Sequence, residues 1–291
     1  MIATIKNVAS TYQEIANLRM RQIRERVLKN REFFEELLNT YQRVKAAYLL
    51  SLKKGWIRQE KTSFRQAEKK EIVLFLSANQ FFYGSLILDI WKEAQKYLQK
   101  NKADLGIAGR VGKYFFESSG LKNKIYYFDL NDVKPEKENI SQIVEFIKNY
   151  RKIIIFHGRY EKVLSQRPIM SEISGKFLFE EKFEKKYLLK EKDKKSFLRE
   201  RFGFSEDVRP YLFEPSAEAI LEFFETEIIA VLFNQTILEH QLARYASRVM
   251  AMHQATENAK IMEEKLTLTE NKLKRQKINK RQIELFSAIQ I

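Results

Sequence analysis

The chain has 291 residues, 44% of them hydrophobic and 13% aromatic, which is enough apolar matter for about two structural units and excludes a wholly disordered chain. Lys and Arg number 53 against 38 Asp and Glu, a net charge of +15 that points to an acidic partner surface, and the absence of Cys excludes disulfides, thiolate catalysis and sulfur-ligated metals. The longest apolar runs fall well short of a spanning helix, and MIATIKNVAS lacks a signal-peptide apolar region, so a soluble protein on the cytoplasmic side is expected.

All nine Gly and all four Pro lie between Gly55 and Pro215, so residues 1–54 and 216–291 contain no strong helix breaker. Three segments follow from this: an N-terminal helix over 1–55, a small α/β unit over 56–215 and a C-terminal helix over 216–291. At 1.5 Å per residue the two terminal helices would run roughly 80 and 110 Å, against about 50 Å for a compact globule of this length. At least one of them must project.

The first segment carries a 3,4 spacing in two stretches, Ile5, Val8, Tyr12, Ile15 and then Phe34, Leu37 or Leu38, Tyr41, Val44, Tyr48, Leu52. Between them sits a basic stretch from Arg19 to Arg31. In the middle, Glu71–Ser77, Asp104–Ala108, Ile125–Leu130 and Lys152–Phe156 read as strands. They alternate with helical stretches that run up to Lys100, over Tyr114–Ser118 and over Asn139–Tyr150, which implies a partly parallel, buried sheet. The mixture of apolar and charged residues from Phe177 to Phe202 gives no clear type.

The last segment repeats its 3,4 spacing through Leu221, Phe224, Ile228, Val231, Gln235, Leu238, Leu242, Tyr245, Val249, Met252, Thr256 and Ala259. It slips near Met262 and resumes at Leu266, Thr269 and Leu273. A period of 3.5 residues needs a partner helix, and the two chain ends can serve one another as an antiparallel coiled coil; a plain α-bundle or an intermolecular seam would use the same pattern. Charge changes along this helix: Glu218, Glu222, Glu225, Glu227 and Glu239 stand without a base, and Lys272, Lys274, Arg275, Lys277, Lys280 and Arg281 without an acid. The acidic run reads as a solvated face. The basic tip brings self-repulsion with no local relief, so it should meet negative charge from elsewhere.

Catalytic constellations are not evident. Gly106, Gly109, Gly112 and Lys113 miss both the P-loop and the dinucleotide spacing, and read as tight backbone turns. His157, His240 and His253 have no partner at helical zinc spacing, and His240 and His253 read as helix-surface residues. Glu263 and Glu264 are adjacent and point apart, and Ser77 has no base or nucleophile elbow around it.

Arg248-Val-Met-Ala-Met-His-Gln-Ala-Thr-Glu-Asn-Ala259 resembles the R-M-x-A-M-x-x-A-T-x-N-A motif of the central-stalk gamma subunits of F-type rotary ATP synthases. Phe213-Glu-Pro-Ser216, Ser77–Gly84, Gly109–Lys113 and Ile153–Pro168 are similar to further segments of that family in the same order. The family's N-terminal motif is not recognisable in Ile15–Arg24, and Arg281 replaces an acid. The resemblance implies a noncatalytic rotor that binds no cofactor or metal. Its stalk motif would be Arg248, Met250, Met252, Thr256 and Asn258, and its ring-contacting tip Lys272, Lys274, Arg275, Gln276, Lys277 and Arg281. The implied partners are a ring of alternating catalytic and noncatalytic subunits, an epsilon-like stalk subunit and a membrane rotor ring or a substitute, at the inner face of the membrane. A rotor with mechanical rather than synthetic output, and a basic coiled-coil adaptor for nucleic acid, are the alternative readings.

Overall fold

The computed structural model describes residues 2–53, 69–173 and 213–289; the Phe177–Phe202 stretch lies outside them. Two long helices, α1 (Ile2–Lys53) and α5 (Ala217–Ile289), flank a unit made of β1 (Lys69–Leu76), α2 (Leu86–Lys100), β2 (Asp104–Ala108), α3 (Arg110–Glu117), β3 (Ile125–Phe128), α4 (Lys137–Ile147), β4 (Tyr150–Lys162) and β5 (Ser165–Glu172).

The helices pair antiparallel. Along α1, Lys6, Asn30 and Tyr41 meet Glu263, Gln235 and Glu225 of α5 in reverse order. The α5 half of the seam is as its spacing implies, with Leu221, Ile228, Val231, Leu238, Leu242, Tyr245, Val249, Met252 and Ala259 all buried. The α1 half is different in its first stretch: Ile5, Val8, Tyr12 and Ile15 are exposed, and Ala9, Ala16 and Ile23 are buried instead. Each exposed residue of that stripe lies next to a seam position, about 100° round the helix from it. The reason is phase. Phe34, Tyr41 and Tyr48, with Leu37 and Val44, pack against Ala217, Leu221 and Ile228. Counting back in sevens along an unbroken helix then leads to Met20 and Val27, and to Ile23, Ala16 and Ala9. The larger apolar cluster sets the phase, and the smaller stripe faces outward.

β3, β2, β1, β4 and β5 lie in that order, the first four parallel and β5 added antiparallel through a hairpin. The continuously apolar strands are covered on both faces, as a parallel sheet requires. Val73 and Phe75 pack with Ile90, Trp91 and Ala94 of α2 and Val111 of α3. Ile72, Leu74 and Leu76 pack with Ile143 and Ile147 of α4, and with Ile229, Phe233 and Ile237 of α5. Thus α5 holds α1 on one side and closes the sheet on the other. Ser216 caps its start, accepting the Ala219 N–H at 3.1 Å on its hydroxyl.

Gly109 and Gly112 have a packing role. Gly109 has φ 109°, and a Cβ there would lie 2.9 Å from backbone atoms of Ala78; at Gly112 it would lie 2.7 Å from Ile107. They let α3 sit directly on β1 and β2.

Candidate functional site

The residues expected to carry function fall into two groups on α5. Because Lys6 near the start of α1 is level with Glu263, everything beyond about Leu266 has no α1 beside it. Lys272, Lys274, Arg275, Gln276, Lys277 and Arg281 are all exposed on this single helix. Leu266 and Leu273, read above as a resumed seam, are about half exposed and face no described helix. The second group lies lower. Met252 is buried in the seam, Met250 and Thr256 are half-buried, Asn258 is exposed, and Arg248 is buried against the sheet unit. From Arg248 to Arg275 is roughly 40 Å along the axis.

Arg248 belongs to a polar joint between α5 and the sheet unit. Its guanidinium carbon stacks 4.0 Å over the Tyr83 ring and its Nη2 donates to Phe81 O and Gln80 Oε1, each at 3.2 Å. One turn earlier, Arg244 Nη1 donates to Asp132 Oδ1 at 2.6 Å, with the two side chains only 4% and 5% exposed. Asp132 also accepts the N–H groups of Asn79 and Gln80 and the Tyr83 hydroxyl. One carboxylate therefore ties the loop after β1 to the helix. Burial pushes the Tyr83 hydroxyl up to about 12, with Asp132 adding to the rise and Arg244 opposing it.

Another turn earlier, His240 is buried, not on the surface. Gly158 N–H donates to its Nδ1 at 3.0 Å, so Nε2 carries the proton and donates to Ser77 O at 3.0 Å. Both partners are satisfied only by the neutral ring, and burial, reinforced by Arg244, holds its pKa well below the ordinary 6.5. His157 is also buried, bonding Ser171 Oγ through Nε2 at 2.8 Å, and burial lowers its pKa. His253 is exposed. The contact between His240 and Ser77 runs through the main-chain carbonyl, and the Ser77 hydroxyl has no hydrogen-bond partner, so the two do not form a nucleophile and base.

Asp132, His240 and Arg244, with Gln241, which donates to Asp132 O at 3.2 Å, and Ser247, which donates to Tyr83 O at 2.6 Å, are the members of this joint that sequence reasoning missed. One pattern could have revealed the helical ones: from Thr236 to Val249 there is no Lys and a single Glu, while His240, Arg244 and Arg248 recur every four residues. A polar stripe so poor in flexible charges is one that packs against protein.

The sequence pattern of the ATP synthase family matches residues 1–290. Among similar curated proteins, the ATP synthase gamma chain of Methylacidiphilum infernorum is 26% identical, with 99% of this chain and 95% of that one aligned. The ATP synthase gamma chain of Haemophilus ducreyi is 24% identical over 95% of this chain and 92% of its own. Among solved structures, the fold is similar to a chain of the Tetrahymena thermophila mitochondrial ATP synthase central stalk and c-ring, with TM-score 0.53 and 16% identity over 86% of this chain and 99% of that one. A chain of the Euglena gracilis mitochondrial ATP synthase gives TM-score 0.52 and 16% identity, over 93% of each. A pair of long terminal helices, an α/β base locked to it by the Arg244 and Arg248 stripe, and a family match along nearly the whole chain lead to one conclusion: this chain belongs to the ATP synthase family.

Proposed function

We propose that this chain is the rotor shaft that couples rotation inside a ring of ATPase subunits to ATP synthesis or hydrolysis. The observation that carries the reading is the lopsided axle: among the described residues α5 outruns α1 and continues unaccompanied as a basic helix, while its lower half is locked to the sheet unit through Arg244 and Asp132. Inside a ring of near-threefold symmetry, such a shaft presents a different face to each catalytic site and so favours a different conformation in each. Turning the shaft cycles those preferences.

Catalysis then belongs to the ring subunits, and this chain acts as a cam. Lys272, Lys274, Arg275, Gln276, Lys277 and Arg281 meet acidic loops of the ring, while Arg248 holds the shaft to its foot and Met250, Met252, Thr256 and Asn258 complete the stalk motif beside it. The sheet unit rests on an epsilon-like subunit and a membrane rotor ring, at the inner face of the membrane. No described helix of this chain is long and apolar enough to cross that membrane.

The test is reconstitution. Lys274→Glu with Arg275→Glu lies on an exposed helix and leaves the chain folded; added to ring subunits, it lowers ATPase turnover several-fold relative to the unmodified chain. Unchanged turnover removes the basic tip from the mechanism, and failure of the unmodified chain to assemble with any ATPase ring overturns the rotor reading.

A further inference from the structure

A cleft of about 640 Å³ opens where α1, the turn before α4 and α5 converge. It lies outside the polar joint and beside the seam, with which it shares Ile23, and its size is that of a small-molecule site. Arg19 and Arg26 line it from α1, two helical turns apart, and Lys134 and Lys137 face them from the sheet unit. Among the described residues, no acidic one lines it. Among the described residues, Arg26, Lys134 and Lys137 have no ion pair, and the Arg19 guanidinium is bonded to the neutral Gln22 Oε1 at 3.2 Å. Four cations from two separate parts of the fold thus line one cavity, with no ion-pair partner among the described residues.

We propose that this cleft binds a phosphate-bearing small anion, inorganic polyphosphate or a nucleoside polyphosphate, which bridges the coiled coil to the sheet unit. A polyphosphate carries three or four charges in one small molecule, which suits four cations lining one cleft. The carboxylates of an acidic peptide are spread along a chain and call for a groove. The turn that carries Lys134 is held in place by Asn131 Oδ1, which accepts the N–H groups of Val133 and Lys134 at 2.9 and 3.1 Å. The Ser141 hydroxyl adds a hydrogen-bond donor, and Ile23, Val133 and Ile140 give the cleft an apolar wall against which a base can lie. Bound between the two cationic sides, the anion replaces their mutual repulsion with a shared counterion. The inference does not depend on the rotor reading.

The test is isothermal titration of the full chain at low salt with three probes: inorganic tripolyphosphate, ATP without divalent metal, and a hexaglutamate peptide. Both phosphate compounds bind with one site per chain, and Arg26→Glu with Lys134→Glu weakens them at least tenfold. Lys100→Glu with Lys122→Glu makes the same change in net charge on exposed residues outside the cleft, and leaves binding within twofold. The milder Arg26→Gln with Lys134→Gln gives an intermediate loss while keeping the native circular dichroism spectrum. Tighter binding of ATP than of tripolyphosphate assigns the base to the apolar wall, and equal binding assigns the site to the phosphates alone; either supports the proposal. Equal weakening by the cleft and control variants, or binding of hexaglutamate without binding of tripolyphosphate, overturns it.

Discussion

Asp132→Asn removes one charge and almost no volume from the joint, and it is the sharpest perturbation the structure offers. The carboxylate is 5% exposed and meets the Arg244 guanidinium at 2.6 Å. It accepts from Asn79 N at 3.0 Å, Gln80 N at 3.1 Å and the Tyr83 hydroxyl at 3.3 Å. Asn leaves Arg244 buried without its counter-charge and turns an NH2 group toward donors. Removing one partner of a buried ion pair costs about 3–5 kcal/mol. The exposed pair of Lys6 and Glu263, at 3.4 Å and 37% and 47% side-chain exposure, supplies the comparison, and Glu263→Ala there costs no more than about 1 kcal/mol. Urea unfolding of the full chain at pH 7.5, followed by circular dichroism, measures both. The double variant Asp132→Asn with Arg244→Met removes both charges, and regains a large part of the loss because no uncompensated cation remains. Equal costs for Asp132→Asn and Glu263→Ala, or a double variant as unstable as the two singles added together, would refute the reasoning.

Ala16, fully buried where α1 meets α5, tests the phase of the coil: Ala16→Leu overpacks the seam and costs about 1–3 kcal/mol, whereas Ile15→Ala, one residue away on the outward face, costs under about 0.5 kcal/mol by urea unfolding. The reverse order would return the seam to the Ile5 stripe. Histidine burial sets a pH dependence. Both His240 and His157 have folded-state pKa values below the ordinary 6.5, so the unfolded chain binds more protons below that pH. Stability is therefore full above about pH 6.5 and falls as the pH drops toward the folded-state values, by up to about 1.4 kcal/mol per pH unit for each ring. Unfolding midpoints at pH 7.5 and 5.5 measure this, and His240→Gln reduces the slope; an unaltered slope would mean that the ring does not carry it.

How much of this was legible in the sequence depended on whether a pattern was local. The α5 seam from Leu221 to Ala259 could be read because a heptad on one helix is visible without knowing its partner. The parallel strands could be read because a run such as Ile72 to Leu76 is apolar on both faces, which only a doubly covered sheet tolerates. The phase of α1 could not: Ile5, Val8, Tyr12 and Ile15 have the right period, and choosing between two stripes 100° apart needs the three-dimensional packing of Phe34, Tyr41 and Tyr48. His240 was misread for a related reason. Its side of α5 is polar in sequence, and the sheet unit covers it through Gly158 and Ser77, neither of which is near it in the chain. Asp132 sits in a stretch that reads as an ordinary turn, and nothing local marks it as the counter-charge of Arg244, 112 residues later.

The unequal reach of the two described helices makes the shaft elastically uneven. Up to the level of Glu263 two helices are clamped side by side and the lower part is further braced by the sheet; beyond it the last ~35 Å of α5 has no described helix beside it, at 1.5 Å per residue. A slender rod bends before a thick one does. Any sideways load on the far extremity is absorbed as flexure of that final stretch, and the doubled section beneath stays straight and transmits twist to the base.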